Sequence, residues 1–261
     1  DADPNTSEGL FVYTTALDVV VGDHVRVTGK ATEYNGLTQV STVSQILVCS
    51  SGNSVEPTLF ELPATDLLDF ERFEGMLVTI PQDLVISEYY NFDRYGEIVL
   101  ATERFMTFTA VNEPSVDGFA AWLNEFKLNS ITLDDGRESQ NPDPAIHPNG
   151  EEFTLDNRFR GGDLVSNVTG VMDYDFSKYR IQPTQGATYT AENPRPVSPE
   201  LDPGFLKVAS FNVLNYFTTI DTGTWICGPS GDMECRGADT AEELTRQRAK
   251  ILAALSGIDA D

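Results

Sequence analysis

In LKVASFNVLNYF, residues 206–217, two asparagines, Asn212 and Asn215, interrupt an apolar run that reads as a buried-type strand. A side-chain amide there has two uses. Its oxygen can coordinate a hard cation while its nitrogen donates to a phosphate or carboxylate, without adding charge. It can instead satisfy neighbouring backbone at a strand end, and Asn215 can simply begin the following loop. Two cysteines, Cys227 and Cys235, lie eight apart in WICGPSGDMECRGAD. We read them as a disulfide closing that loop, because a polar, turn-rich loop would expose unbridged thiols to oxidation. Two free thiols of a cytosolic loop are the alternative, and the bridge favours an exported protein.

Other side chains of chemical interest sit in two hairpin segments. Arg26, Lys30 and Tyr34 lie in HVRVTGKATEY, and Tyr174, Lys178, Tyr179 and Arg180 lie in YDFSKYR. They could stack bases and touch phosphates on a sheet face, or serve as packing residues and scattered surface charges. Charge argues for the second use. The chain has 17 basic and 41 acidic residues for a formal charge of −24, and residues 1–205 account for 12 and 33 of these, a net −21. Such a field repels phosphate backbones and anionic membranes. The histidines, His24 and His147, fall in the same β-rich region and read as ordinary surface or turn residues. Asp1, Asp3, Asn5 and Ser7 alternate like calcium-loop ligands, but Thr6 stands where the turn glycine belongs, so a solvated acidic loop is expected.

These residues need a scaffold. GLFVYTTALDVVVGDHVRVTGKATEYNGLTQVSTVSQILV reads as successive antiparallel strands, with Asn35-Gly36 as a type I′ hairpin turn. RGGDLVSNVTGVMDYDFSKYRIQPT repeats the pattern, Gly22-Asp23 matching Gly162-Asp163 and Thr28-Gly29 matching Thr169-Gly170, a spacing of 140 or 141 residues. A repeat of that length is a domain. GMLVTI, DLVISEYY, YGEIVLATE and NSITLDDG supply further strands, and VDGFAAWLNEFKLN a helix with Phe119, Trp122, Leu123 and Phe126 on one face, expected to plug or cap a barrel. Small barrels with a Gly-Asp turn before a long curved hairpin resemble the OB-fold. The first copy looks short: residues 10–13 would be its third strand, so the two opening strands are missing. A proline-rich stretch, ENPRPVSPELDPGF, leads to a last segment ending in a helix, with Thr240 and Glu243 as capping box and Gly257 as stop.

Residues 206–217, with CGPSGDMECRGADTAEELTRQRAKI behind them, resemble the opening of the catalytic domain in secreted bacterial nucleases of the endonuclease/exonuclease/phosphatase superfamily. In that subfamily OB-like domains precede the catalytic domain, and the first 50 residues and the proline-rich linker are similar too. The resemblance places Asn212 among the metal ligands and phosphate-contacting groups at the floor of the active site. It implies Mg²⁺, or Ca²⁺ or Mn²⁺, as cofactor, with the remaining ligands expected beyond Asp261, and it marks the chain as an internal fragment.

The expectation is therefore a mainly β chain. Residues 1–57 form a partial OB-like domain, 58–192 a second one with an inserted helix, 193–205 a linker, and 206–261 the first strand and helix of an α/β four-layer sandwich. The expected function is a part, inactive alone, of an extracellular metal-dependent nuclease acting on DNA. DNA would be held mainly outside this chain, with Asn215 and the hairpin residues as further contacts, and no membrane span or protein partner is expected. A non-catalytic OB-type module for nucleic acid or carbohydrate, or a phosphatase or phosphodiesterase of the same superfamily, is the alternative.

Overall fold

The computed structural model of the chain describes residues 3, 5–15, 19–197, 201, 204 and 206–260. The chain is mainly β and divides between Arg195 and Pro196 into two units. Asp1 and part of the expected linker (198–200, 202, 203 and 205) lie outside the described residues.

The first unit opens with β1 (Phe11–Val12), β2 (His24–Tyr34) and β3 (Leu37–Ser50) in a sheet of order β1-β3-β2, β1 parallel and β2 antiparallel to β3. Asn35 and Gly36 turn the hairpin with φ of 53° and 93°, the two positive values a type I′ turn requires.

The second sheet contains β4 (Thr58–Leu59), β5 (Leu77–Ile80), β6 (Leu84–Glu88), β7 (Ile98–Ala101), β8 (Ser130–Leu133), β9 (Leu164–Ser166), β10 (Val168–Asp175), β11 (Lys178–Pro183) and β12 (Thr188–Thr190). One-turn helices α1 (Leu68–Glu71), α2 (Phe92–Tyr95) and α3 (Phe108–Val111) and the longer α4 (Val116–Leu128) interrupt it. Two bent strands organise this sheet. β5 and β6 flank Pro81, which has no N–H to give a ladder, and β9 and β10 flank Asn167, whose φ is 54°. β5 pairs with β10 and β6 with β9, so the two bent strands run antiparallel along their length. β6 then pairs with β7, β7 with β8, β8 in parallel with β11, and β11 with β10. The path returns to its starting strand. Counted along the chain, the five strands close in the order 1-2-3-5-4, that of an OB-type barrel.

Alternation fills the barrel: Val78, Ile80, Leu84, Ile86, Leu100, Val165, Met172 and Ile181 are fully buried. α4 exists, its Ser115 cap accepting from the Gly118 N–H at 3.1 Å, but it does not plug the barrel. No residue of α4 is fully buried. Phe119, Trp122 and Phe126 stack along the helix and pack on Phe105 and Phe108 instead, because the barrel interior is already filled by its own strands.

The repeat read from sequence extends to the hydrogen bonds. β1-β3-β2 has the pairing of β8-β11-β10, a strand parallel to the second arm of a hairpin, which places residues 11–12 as the third strand of an OB-type unit. Gly22 and Gly162 have φ of 95° and 96°. Each following aspartate accepts from the N–H three residues back, Asp23 from Val20 at 3.0 Å and Asp163 from Arg160 at 2.6 Å. Asn53 and Asn193 donate their side-chain amides to Gly22 O, 31 residues back (2.9 Å), and to Gly161 O, 32 residues back (2.7 Å). Gly29 and Gly170 both sit where a Cβ would strike the partner strand, at 2.8 Å from Ser41 O and 2.2 Å from Gln182 O.

Asp163 pins the end of this unit. It is 2% exposed and accepts from Tyr189 Oη (2.7 Å) and from the Glu192 (3.0 Å) and Asn193 (2.8 Å) N–H groups. Residue 193, expected to begin the linker, is thus fixed to the barrel. Burial pushes the Asp163 carboxyl up, but the donors from Asn193, Tyr189, Arg160 and Glu192 together hold it below the usual range. A lowered folded value means stability present above the ordinary carboxylate pKa and lost as pH falls through the folded one. Asp163→Asn is therefore expected to cost about 2–3 kcal/mol at pH 7, the scale of a hydrogen bond to a charged acceptor, with the gap from wild type narrowing at pH 3. Urea unfolding at both pH values checks it, and a gap equal at both would contradict the charge argument.

The second unit holds β13 (Trp225–Cys227), β14 (Met233–Glu234) and α5 (Ala241–Ile258). Thr240 Oγ1 accepts from the Glu243 N–H at 3.1 Å, and Glu243 reaches back to the Asp239 N–H at 2.9 Å. The Thr240 half of the expected capping box forms, while the Glu243 carboxylate takes the N–H one residue before the cap. The helix runs past Gly257 and stops at Asp259, whose φ of 48° supplies the left-handed turn, so the glycine stop is displaced by two residues.

Candidate functional site

Asn212 and Asn215 are not on a strand. Residues 206–217 carry no ladder, and all but Tyr216 are exposed. Asn212 Oδ1 accepts from the Leu214 N–H at 2.9 Å, and Leu214 and Asn215 have φ of 39° and 35°. This corrects the expected buried strand. A strand forms only against a neighbour, and the ladder described in this unit pairs β13 with β14; without one, the asparagine takes the local option of an Asx turn. Cys227 and Cys235 are bonded, as expected, closing the β13–β14 loop. Cys49 is free and exposed.

The hairpin residues divide. Arg26, Lys30 and Tyr34 alternate along β2 and are exposed. Of the two uses open to them in the sequence, nucleic-acid contact or packing, Lys178, Tyr179 and Arg180 take internal partners here. Arg180 is 5% exposed, its Nη1 2.9 Å from Glu97 and 3.0 Å from Asp134, and its Nη2 donates to Asp175 O. Lys178 lies 2.6 Å from Glu97. Tyr179 donates its hydroxyl to Glu71, so ionisation is pushed far above the ordinary tyrosine range, first by burial and then by that carboxylate. Cations already matched by carboxylates have little to offer a phosphate.

The two histidines differ in setting. His24 is exposed on β2. His147 is 1% exposed, its Nδ1 accepts from the Asn149 N–H at 3.1 Å, and burial pushes its pKa down, leaving a neutral core imidazole edge-on to Tyr189. Asp3, Asn5 and Ser7 build a turn: Asp3 accepts from the Asn5 N–H at 3.0 Å, and the Ser7 hydroxyl donates to Glu74 O. Among the described residues no group of three or more His, Cys, Asp or Glu side chains is placed to hold a metal ion.

What the structure does bring together is a cleft of about 620 Å³ on the β7-β8-β11 face of the barrel. Tyr89 and Tyr90 enter from the loop after β6, Tyr174 and Lys178 from the β10–β11 hairpin, and Phe126 from α4. Phe70 and Tyr179 form its aromatic floor, stacked at 5.4 Å and 16°. Tyr174 leans on Tyr179 at 4.7 Å. OB-type barrels bind oligonucleotides and oligosaccharides on this face, between the loop joining strands 1 and 2 and the loop joining strands 4 and 5. The sequence offers Tyr89 and Tyr90 only as the end of the DLVISEYY strand, an aromatic pair closing a run of alternating apolar residues.

Residues 38–193 match the model of a domain of unknown function, DUF8508. The chain belongs to that family. The match starts at Thr38 in β3 and ends at Asn193, the residue pinned by Asp163, so it crosses the 57/58 boundary expected between two domains and includes half of the first hairpin. No curated protein and no solved structure matches the chain. Among the described residues no helix is long and apolar enough to cross a membrane.

Proposed function

We propose that the chain is the OB-type module and leading catalytic segment of an exported, divalent-metal-dependent nuclease that hydrolyses phosphodiester bonds in DNA. The observation that carries this reading is the order of parts: an OB-type barrel, the Asn212 segment, a disulfide-closed loop and a Thr240-capped helix. The nuclease resemblance puts the same parts in the same order. Residues 206–260 by themselves do not fit Mg²⁺, Ca²⁺ or Mn²⁺. Asn212 Oδ1 is taken by Leu214, and a single amide cannot displace the tightly held water of Mg²⁺. The other ligands of such an ion, and the groups that orient water, belong in this reading to parts of the nuclease outside these residues. A non-catalytic binding module is the second reading, favoured by the aromatic cleft.

This division of labour is tested with the chain alone. Supercoiled plasmid with Mg²⁺, Ca²⁺ or Mn²⁺ is expected to show no nicking above an EDTA control, and labelled DNA no submicromolar binding at 0.15 M salt. The net −21 of residues 1–205 opposes the counterion release that drives non-specific binding. Metal-dependent nicking by the repurified chain, or tight binding at that salt, would contradict the reading.

A further inference from the structure

We propose that the cavity at the barrel end bounded by β7, β8, β10 and β11 binds a free apolar α-amino acid, its ammonium on Asp135 and its carboxylate on His147 and Arg137. The inference does not rest on the nuclease reading, because every residue it uses lies in the first unit.

The site is apart from the aromatic cleft. Ile98 begins β7, Val168 begins β10, and Leu133 and Pro183 end β8 and β11, so this cavity of about 310 Å³ sits on one end of the barrel and not on its face. The loop carrying His147 covers that end. Its backbone is tied down, His147 N–H donating to Glu151 O at 2.9 Å, Gly150 N–H to His147 O at 2.8 Å and Ala187 N–H to Pro148 O at 2.9 Å, so the imidazole is held in one place.

Two polar atoms in the walls go unanswered. His147 Nδ1 accepts from the Asn149 N–H, so the proton of the neutral ring sits on Nε2, and this donor, on a side chain 1% exposed, meets no acceptor among the described residues. Asp135 supplies the second. Its Oδ1 accepts from the Arg137 N–H at 2.9 Å, while its buried Oδ2 meets no donor among the described residues and burial pushes the carboxyl above the usual range. One water does not fill such a space, since a single ordered water needs only about 10–15 Å³ of cavity.

The charges that line the cavity then choose the ligand. Asp134 is matched by the Arg180 guanidinium at 3.0 Å and by the Gly136 N–H, and Arg137 gives its Nη1 to a neutral group, Pro144 O, at 2.7 Å. What is left is one anionic acceptor, one neutral donor and one cation. A zwitterion answers all three, with charge-assisted hydrogen bonds at both of its ends, whereas a simple anion leaves Asp135 unmatched and a simple cation leaves His147 and Arg137 so. Its net charge of zero also spares it the field of a chain at −24. The buried Phe92, Ile98, Leu133 and Val168 make the rest of the wall apolar, which suits an aliphatic or aromatic side chain, and the volume lies at the small end of ligand sites.

Calorimetric titration of the whole chain with L-leucine and L-phenylalanine tests this, with N-acetyl-L-leucine, L-leucinamide and glycine as the forms that lack the ammonium, the carboxylate and the side chain. Leucine or phenylalanine is expected to bind with submillimolar Kd, and each of the three reduced forms at least tenfold more weakly. Asp135→Asn should weaken binding tenfold or more with a melting temperature no lower than wild type, because asparagine keeps the acceptor for the Arg137 N–H and removes an unmatched charge. In ¹⁵N spectra of the unaltered chain the His147 Nε2–H resonance should shift on saturation, a readout that needs no variant to fold. Failure of both amino acids to bind at millimolar concentration, which would leave the cavity to water only, would overturn the proposal. So would equal binding of the acetylated or amidated form, unchanged affinity in Asp135→Asn, or a His147 resonance unmoved at saturation.

Discussion

Arg180→Met is expected to destabilise the first unit by about 3–5 kcal/mol, the usual cost of removing one partner from a buried ion pair. Arg180 is the hub of a network on β11. Its guanidinium touches Glu97 just before β7 and Asp134 just after β8, both carboxylates 6–7% exposed, and carries the Asp175 carbonyl as well. With methionine there, two carboxylates face each other with only Lys178 to balance them, and desolvation is no longer offset. Melting should fall by roughly 2–4 °C for each kcal/mol in a unit of this size. The triple variant with Glu97→Gln and Asp134→Asn should recover most of the loss, because a neutral polar set of similar volume carries no unpaired charge. A drop below about 1 kcal/mol for the single variant would show that water reaches the carboxylates, and would contradict the buried-pair account.

The sequence was most informative where one local rule decides the structure. Asn35-Gly36 demands positive φ at two neighbours, Thr240 answers an orphan N–H of the first helical turn, and Cys227 and Cys235 share a loop too short to hold them far apart. The Gly-Asp repeat was legible because backbone strain and a fixed acceptor need those residue types. Its closing partners, Asn53 and Asn193, were not, since a donor 31 or 32 residues away has no local signature.

Where a distant partner decides, pattern left the outcome open. YDFSKYR allows a basic aromatic surface or a packed one, and only the fold sets Glu97 and Asp134 beside Arg180. The aromatic stripe of α4 allowed a plug or a cap, and the alternating residues of five strands, which already fill the barrel, leave no room for a plug. Residues 206–217 have a strand's composition but no described strand beside them, and composition supplies only half of a ladder. The Phe176-Ser177 turn, with φ of 49° and 61°, gave no warning either, because neither residue favours that region. The cleft was half legible: Tyr174, Lys178 and Tyr179 were singled out, while Tyr89, Tyr90 and Phe70 join them only through the barrel's closure.

The most direct measurement of the central claim is the rate of metal-dependent plasmid cleavage by the nuclease proposed to include this chain, before and after Asn212→Ala. The segment holding Asn212 is exposed and makes one local side-chain contact there, to the Leu214 N–H, so alanine removes an Asx turn and leaves the barrel, the disulfide loop and α5 in place. A structural role alone would cost about 1 kcal/mol of stability and leave turnover near wild type. An amide that faces the reacting phosphate is a preorganised contact, and losing one of these typically lowers kcat by on the order of a hundredfold, about 2.7 kcal/mol of barrier. We expect at least that loss, with melting temperature and DNA affinity little changed. A variant that cleaves plasmid at near the wild-type rate would return Asn212 to its turn and contradict the nuclease reading of this segment.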